Sequence, residues 1–228
     1  EFLEVAGKKV EVVLFPSQRD GPAPGLLLVH DHVSNARLLM NMGLQFSMRG
    51  YTVLLASLPG YGLSEGPADF CGPQSLAALG AALDRLKRAP GVDTTRLAAW
   101  GIGRGANGVA NLATRRADLA AVIAQSGIYD LWAAARGPQA AGLRAAITAE
   151  AGADSGAWRD RSPILNAGRI RAAMLVLHGE ADLEAPAAQA HAFAASLEKS
   201  GAPVESRFVP GAGHGLGRAE TQRAAIAF

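Results

Sequence analysis

The chain has 228 residues, 49% of them hydrophobic and 18% charged, with a formal net charge of +2, enough apolar material for one sizeable core. Its acids and bases are interspersed, which argues against a nucleic-acid binder or a membrane-surface protein, because both need a basic stripe. The only cysteine, Cys71, excludes an internal disulfide, and no apolar run approaches the roughly 18 residues that a transmembrane helix requires.

Apolar residues alternate from Phe2 to Phe15 around Ala6-Gly7-Lys8-Lys9, the pattern of an edge β-hairpin. After a loop from Pro16 to Pro24, Gly25 to His30 is a continuous apolar run suited to a strand buried on both faces. Ser34 is placed to cap a helix running to about Arg49, with Leu38, Leu39, Met42 and Phe46 as its apolar stripe. Tyr51 to Ser57 reads as the next buried strand, and Pro59 to Pro67 as a loop dense in turn formers. A helix from Pro73 to Arg88 leads to a strand from Arg96 to Trp100, then a helix from Ala106 to Arg116 and a strand from Leu119 to Gln125. This alternation predicts a mostly parallel, doubly wound sheet in an α/β domain.

Residues 128–171 break the rhythm, with Trp132 and Trp158 set among Gly137, Pro138, Gly156 and Pro163, and are expected to form a small cap insertion within a single domain. Regularity returns with a strand from Ala173 to His178, a helix from Pro186 to Ser200 and a strand from Val204 to Val209. The last helix, from about Arg218, reaches Phe228 without a capping signal, as if the protein continued. The N-terminus lacks the profile of a signal peptide, and Glu1 in place of an initiator methionine fits loss of an upstream segment. A soluble chain is expected, with the cytoplasm favoured; nothing in the sequence bears on its oligomeric state.

The informative stretch is Trp100-Gly101-Ile102-Gly103-Arg104-Gly105-Ala106, a strand, a glycine-flanked sharp turn and the start of a helix. That is the layout of a Gly-x-Ser-x-Gly nucleophile elbow, with Gly103 where the serine belongs. An acid, Asp182, and a histidine, His214, follow in the order nucleophile, acid, histidine. Asp182 lies just past a buried strand, where its carboxylate can fix a histidine tautomer, and His214 sits between two glycines on a loop able to project an imidazole into a cleft. The amide of Arg104, which follows the nucleophile position, is available as an oxyanion donor.

Together with Ser162-Pro163-Ile164, His178-Gly179, Pro186, Gln189 through Phe193 and Pro210-Gly211, these motifs make the chain resemble α/β-hydrolases of the prolyl oligopeptidase and dienelactone hydrolase-like group. The likeness covers most of residues 25–228. It implies the α/β-hydrolase fold, a cofactor-free and metal-free serine hydrolase centre, Asp182 orienting His214 as general base, and a second oxyanion amide from His32, with Val33 as the second choice. It also implies an ester, lactone or peptide as substrate. The loop His30-Asp31-His32 departs from the group's commoner His-Gly pattern. Trp132 and Trp158 are candidates for an apolar acyl or aryl pocket.

Three readings of Gly103 stay open: an inactivating serine-to-glycine substitution, a relative that uses the Asp182–His214 pair without a covalent step, and a non-catalytic binding protein. Because glycine suits the left-handed turn, the exchange is expected to be near neutral for stability. Other nucleophiles, Ser64, Cys71 and Ser126, lack the elbow, and His30 and His32 lack a third metal ligand at matching spacing. Gly103 to Gly108 also matches a Gly-x-Gly-x-x-Gly dinucleotide fingerprint, but the following strand ends in Gln125-Ser126 without the acid that takes the ribose hydroxyls.

Overall fold

The computed structural model describes residues 1–137 and 140–228, so Pro138 lies outside the described residues. Eight strands form one sheet: β1 (Phe2–Val5), β2 (Lys8–Phe15), β3 (Ala23–Val29), β4 (Thr52–Ala56), β5 (Val92–Ile102), β6 (Ala121–Gln125), β7 (Ala173–Gly179) and β8 (Val204–Val209). Their spatial order is β1-β2-β4-β3-β5-β6-β7-β8. Only the N-terminal hairpin breaks the parallel arrangement, β2 pairing antiparallel with both β1 and β4. The turn between β1 and β2 uses left-handed conformations at Ala6 and Gly7, the geometry that matches strand twist in a two-residue hairpin.

Both faces of the parallel strands are covered, which is why β3 reads as unbroken apolar sequence. Leu27 and Val29 face one layer, made by α2 (Pro73–Lys87), α3 (Arg104–Ala113) and α7 (Ala187–Lys199). Leu26 and Leu28 face the other, where α1 (Met40–Met48) contributes Phe46 and α8 (Arg218–Ala227) contributes Ala224 around Trp100. The mostly parallel, doubly wound sheet expected from the alternating pattern is observed, in the α/β-hydrolase architecture that the resemblance implies.

Two local readings need correction. Asn35, not Ser34, caps the first helix, its side chain accepting from the amides of Arg37 and Leu38. Residues Ala36–Leu39 form a 3-10 turn before α1, and this tighter winding shifts the apolar stripe, so Leu38 is exposed while Ala36, Gly43 and Phe46 face inward. Strand β5 also begins earlier than its apolar run, because Thr94, Thr95 and Arg96 extend it into solvent before Leu97 enters the core.

Between β6 and β7 the described residues form three helices, α4 (Leu131–Ala134), α5 (Ala140–Ala151) and α6 (Ser155–Asp160), followed by a 3-10 segment, Pro163–Arg169. Leu131, Ala134, Ile147 and Trp158 close a small core of their own with Phe70. Asn107 on α3 ties this segment down, its side-chain amide donating to the carbonyls of Ile128 and Arg161 at 2.7 and 2.9 Å. No helix among the described residues is long and apolar enough to cross a membrane.

Candidate active site

Parallel sheets gather function at the carboxyl ends of their strands, and four loops converge there. The elbow joins β5 to α3. A Cβ on Gly101 would overlap the carbonyl of Gly105, so strand and helix approach this closely only with glycine. Gly103 itself adopts φ +52° and ψ −111°, a conformation that costs a side-chain-bearing residue about 1–3 kcal/mol.

Asp182 follows β7 and is buried. Its Oδ1 accepts the amides of Glu184 and Ala185, both at 2.9 Å, and its Oδ2 accepts His214 Nδ1 at 2.8 Å and lies 3.2 Å from His178 Nε2. His214, on the loop after β8, is steadied by Ser126, whose Oγ donates to its carbonyl at 2.8 Å. The structure thus brings Gly103, Asp182 and His214 together at one end of the sheet, with the amides of Arg104 and His32 beside them.

What stands at the centre is Asp31, on the loop after β3. Its Oδ1 accepts the amide of His32 at 2.6 Å and that of Arg104 at 2.7 Å, while its Oδ2 accepts His214 Nε2 at 3.0 Å. A Cβ built on Gly103 would lie 2.6 Å from Oδ2 and overlap Oδ1. The near-neutral serine-to-glycine exchange expected from the sequence therefore does not hold in this setting. With Asp31 in place, position 103 has no room for a side chain.

The backbone that presents Asp31 is fixed by other groups. His30 is fully buried, its Nδ1 donating to the Asp31 carbonyl at 2.6 Å and its Nε2 accepting the Leu58 amide at 2.9 Å. Burial lowers the His30 pKa, which suits this neutral tautomer. Burial opposes ionisation of Asp31, but hydrogen bonds from His214, His32 and the Arg104 amide outweigh it and hold the carboxyl well below the usual carboxylate range. Asp182 is held low in the same way against its burial, by His178 and His214. His214, also opposed by burial but flanked by both carboxylates, is raised to about 10. The two carboxylates and the ring thus favour one another's charged forms, carboxylate, imidazolium and carboxylate in a row.

Above it lies a cavity of about 90 Å³, lined by Asp31, Arg104, Phe70, Ile128, Leu143 and His214 among others. Arg104 stacks its guanidinium 3.6 Å from the centroid of the Phe70 ring and pairs with Glu150 of α5, which also accepts the Phe70 amide at 2.9 Å. The structure places neither tryptophan in this lining. Trp158 is buried, donates to the Gly152 carbonyl at 2.7 Å and packs 5.8 Å from Trp132, which lies at a separate surface recess with Arg159 and Leu165. The two serve the small core under the helical segment and its outer face. Of the other nucleophile candidates, Ser64 is buried against the backbone of Glu11 and Ser57, and burial pushes the Cys71 thiol up to about 12.

Residues 71–228 match the prolyl oligopeptidase family. The chain belongs to that family. No curated protein sequence matches it. Among solved structures it is similar to an acylaminoacyl peptidase from Pyrococcus horikoshii, at 17% identity and a TM-score of 0.82 over 99% of this chain and 39% of that one. A puromycin-hydrolyzing peptidase from Mycobacterium tuberculosis is similar at 22% identity and a TM-score of 0.86, over 99% of this chain and 37% of that one. For dipeptidyl peptidase 4 from Porphyromonas gingivalis the values are 17%, 0.79, 99% and 35%. The chain thus spans well under half the length of each.

Asp31 is the site residue that sequence reasoning passed over. Its signal was present in two departures from what the resemblance leads one to expect, on different loops: an acid at 31 in place of the expected glycine and a glycine at 103 in place of the expected serine. Nothing in the linear order says that these positions touch.

Proposed function

We propose that this chain is the hydrolase-fold domain of a prolyl oligopeptidase-family protein, retaining a binding site for the acyl part of a peptide or ester but unable to form an acyl-enzyme. In a serine-bearing form, the residue at 103 would attack the carbonyl, His214 oriented by Asp182 would move the proton, and the amides of Arg104 and His32 would hold the oxyanion. One observation carries the reading: where those amides and His214 Nε2 converge there is the carboxylate of Asp31, with no hydroxyl. The peptidase names of similar structures support a peptide or aminoacyl amide as the ligand class. The segment over residues 128–171 acts as a cap, with Leu143 of α5 over the cavity and the Arg104–Glu150 pair linking it to the elbow.

Two observations support this reading of Gly103 over the others. A single inactivating exchange at 103 would leave the loop after β3 with its ordinary residue, whereas here the departure at 31 fits the departure at 103. Acid–base chemistry by Asp182 and His214 alone needs a neutral imidazole, and the two flanking carboxylates keep His214 protonated at neutral pH. The test exposes the chain to a fluorophosphonate probe and to panels of aryl esters and aminoacyl anilides at neutral pH. The expected result is no covalent labelling and no turnover. Stoichiometric labelling, or turnover abolished by His214→Gln, overturns the proposal.

A further inference from the structure

The elbow is a carboxylate-binding site, we infer, and the chain fills it with its own Asp31, so that a residue with a side chain at 103 and an acid at 31 exclude one another. This rests on the functional reading only in taking the amides of His32 and Arg104 as the oxyanion donors. The geometry is that of a carboxylic acid product before it leaves a serine hydrolase, one oxygen between two amides and the other on the histidine. Asp31 reproduces it from within, with Oδ1 on the two amides and Oδ2 on His214 Nε2. Gly103 is what makes room for it.

The site does not depend on the carboxylate for its shape. The Asp31 carbonyl is held by His30 Nδ1 and by the Ser34 amide at 3.0 Å, and the Ala36 amide further along the loop donates to Ser57 Oγ at 2.9 Å. Arg104 begins α3, so its amide is fixed by the helix, and Asp182 fixes the ring of His214. Removing the Asp31 side chain therefore leaves two converging N–H donors, the imidazole of His214 and that of His32, whose Nδ1 lies 3.1 Å from Asp31 Oδ1, next to a cavity with apolar walls at Phe70, Ile128 and Leu143. The ligand class this arrangement takes is a short monocarboxylate, with one oxygen on the two amides and the other on His214 Nε2.

Four forms of the chain test the inference: native, Asp31→Gly, Gly103→Ser and the double variant, each checked for folding by circular dichroism. Acetate is titrated into the first two by calorimetry near pH 6, and a fluorophosphonate is applied to all four. Acetate should bind Asp31→Gly saturably and leave the native chain unaffected; Asp31→Asn, which keeps the space filled, should also take none. Should glycine at 31 prevent folding, Asp31→Ala replaces it in both forms. The probe should label the double variant and leave Gly103→Ser unlabelled, because there the acid, pushed aside by the new side chain but still carried on the loop next to it, competes with the probe for the two amides and for His214.

Equal uptake of acetate by the native and Asp31→Gly chains overturns the inference, as does labelling of Gly103→Ser at the rate of the double variant. If Asp31→Gly binds acetate and the folded double variant resists the probe, the carboxylate site stands and the serine-hydrolase ancestry under the proposed function falls.

Discussion

Coupling between positions 31 and 103 should be measurable as stability, independently of any ligand. Gly103→Ser alone forces the Asp31 carboxylate out, breaking its contacts with two amides and with His214; losing a buried, hydrogen-bonded charge pair costs about 3–5 kcal/mol. The left-handed backbone at 103 adds about 1–3 kcal/mol for any residue with a Cβ. Asp31→Gly alone loses the same pair, so it too should cost about 3 kcal/mol, at the lower end because His214 can relax to its neutral form. In the double variant the pair is lost only once. Its cost should therefore fall short of the sum of the single costs by about 3 kcal/mol, the upper range seen for contacting residues. Urea denaturation of the four forms at pH 6 gives this coupling energy. Additivity within about 0.5 kcal/mol, the behaviour of independent sites, would refute the claim that the two residues compete for one space.

Two further predictions concern the same region. His214, raised to about 10 from its ordinary 6.5, contributes stability that is fully present below about pH 6.5 and is lost as pH climbs toward 10. Asp31 and Asp182, held below the carboxylate range, contribute above about pH 4 and lose that contribution as pH falls. Melting temperature should thus plateau between about pH 4 and 6.5 and decline on the alkaline side; Asp31→Gly should flatten that alkaline decline, and an unchanged slope would count against the imidazolium. Trp158→Phe removes the hydrogen bond to the Gly152 carbonyl and should lower stability by about 1 kcal/mol while leaving acetate binding to the Asp31→Gly chain unchanged. A change in acetate affinity would place Trp158 nearer the site than the structure does.

Much of the fold was legible because period and position speak for themselves in a doubly covered sheet. Unbroken apolar runs at Leu26–Val29 and Val122–Ala124 suit strands packed on both faces, and glycines at 101 and 105 marked the sharp turn between strand and helix. The first helix was less legible, since a 3-10 turn before α1 shifts every later residue around the axis and the pattern of apolar letters does not record that change of winding. At the site, the approach of Asp182 to His214 follows from chain order. The place of Asp31 does not, because it depends on how deeply the loop after β3 dips toward the elbow. That depth is set by a tertiary contact, His30 to the Leu58 amide, between residues 28 positions apart.

The dinucleotide fingerprint over Gly103 to Gly108 fails for a related reason. A pyrophosphate would have to sit at the N-terminus of α3, where the Arg104 amide is already taken by a carboxylate. On the proposed reading the same occupancy bears on the chemistry. Two amides aimed at one point accelerate acyl transfer only if they bind the transition-state oxyanion better than whatever occupies the point beforehand. Here that occupant carries a full negative charge in the resting protein and is tied to an imidazolium on its other oxygen. A substrate carbonyl, which is neutral, would have to displace it, and the developing oxyanion would gain nothing over the charge it replaced. On the proposed reading, absence of the serine is only half of what separates this centre from an active serine hydrolase. Supplying a hydroxyl at 103 without removing the acid at 31 should leave it inert.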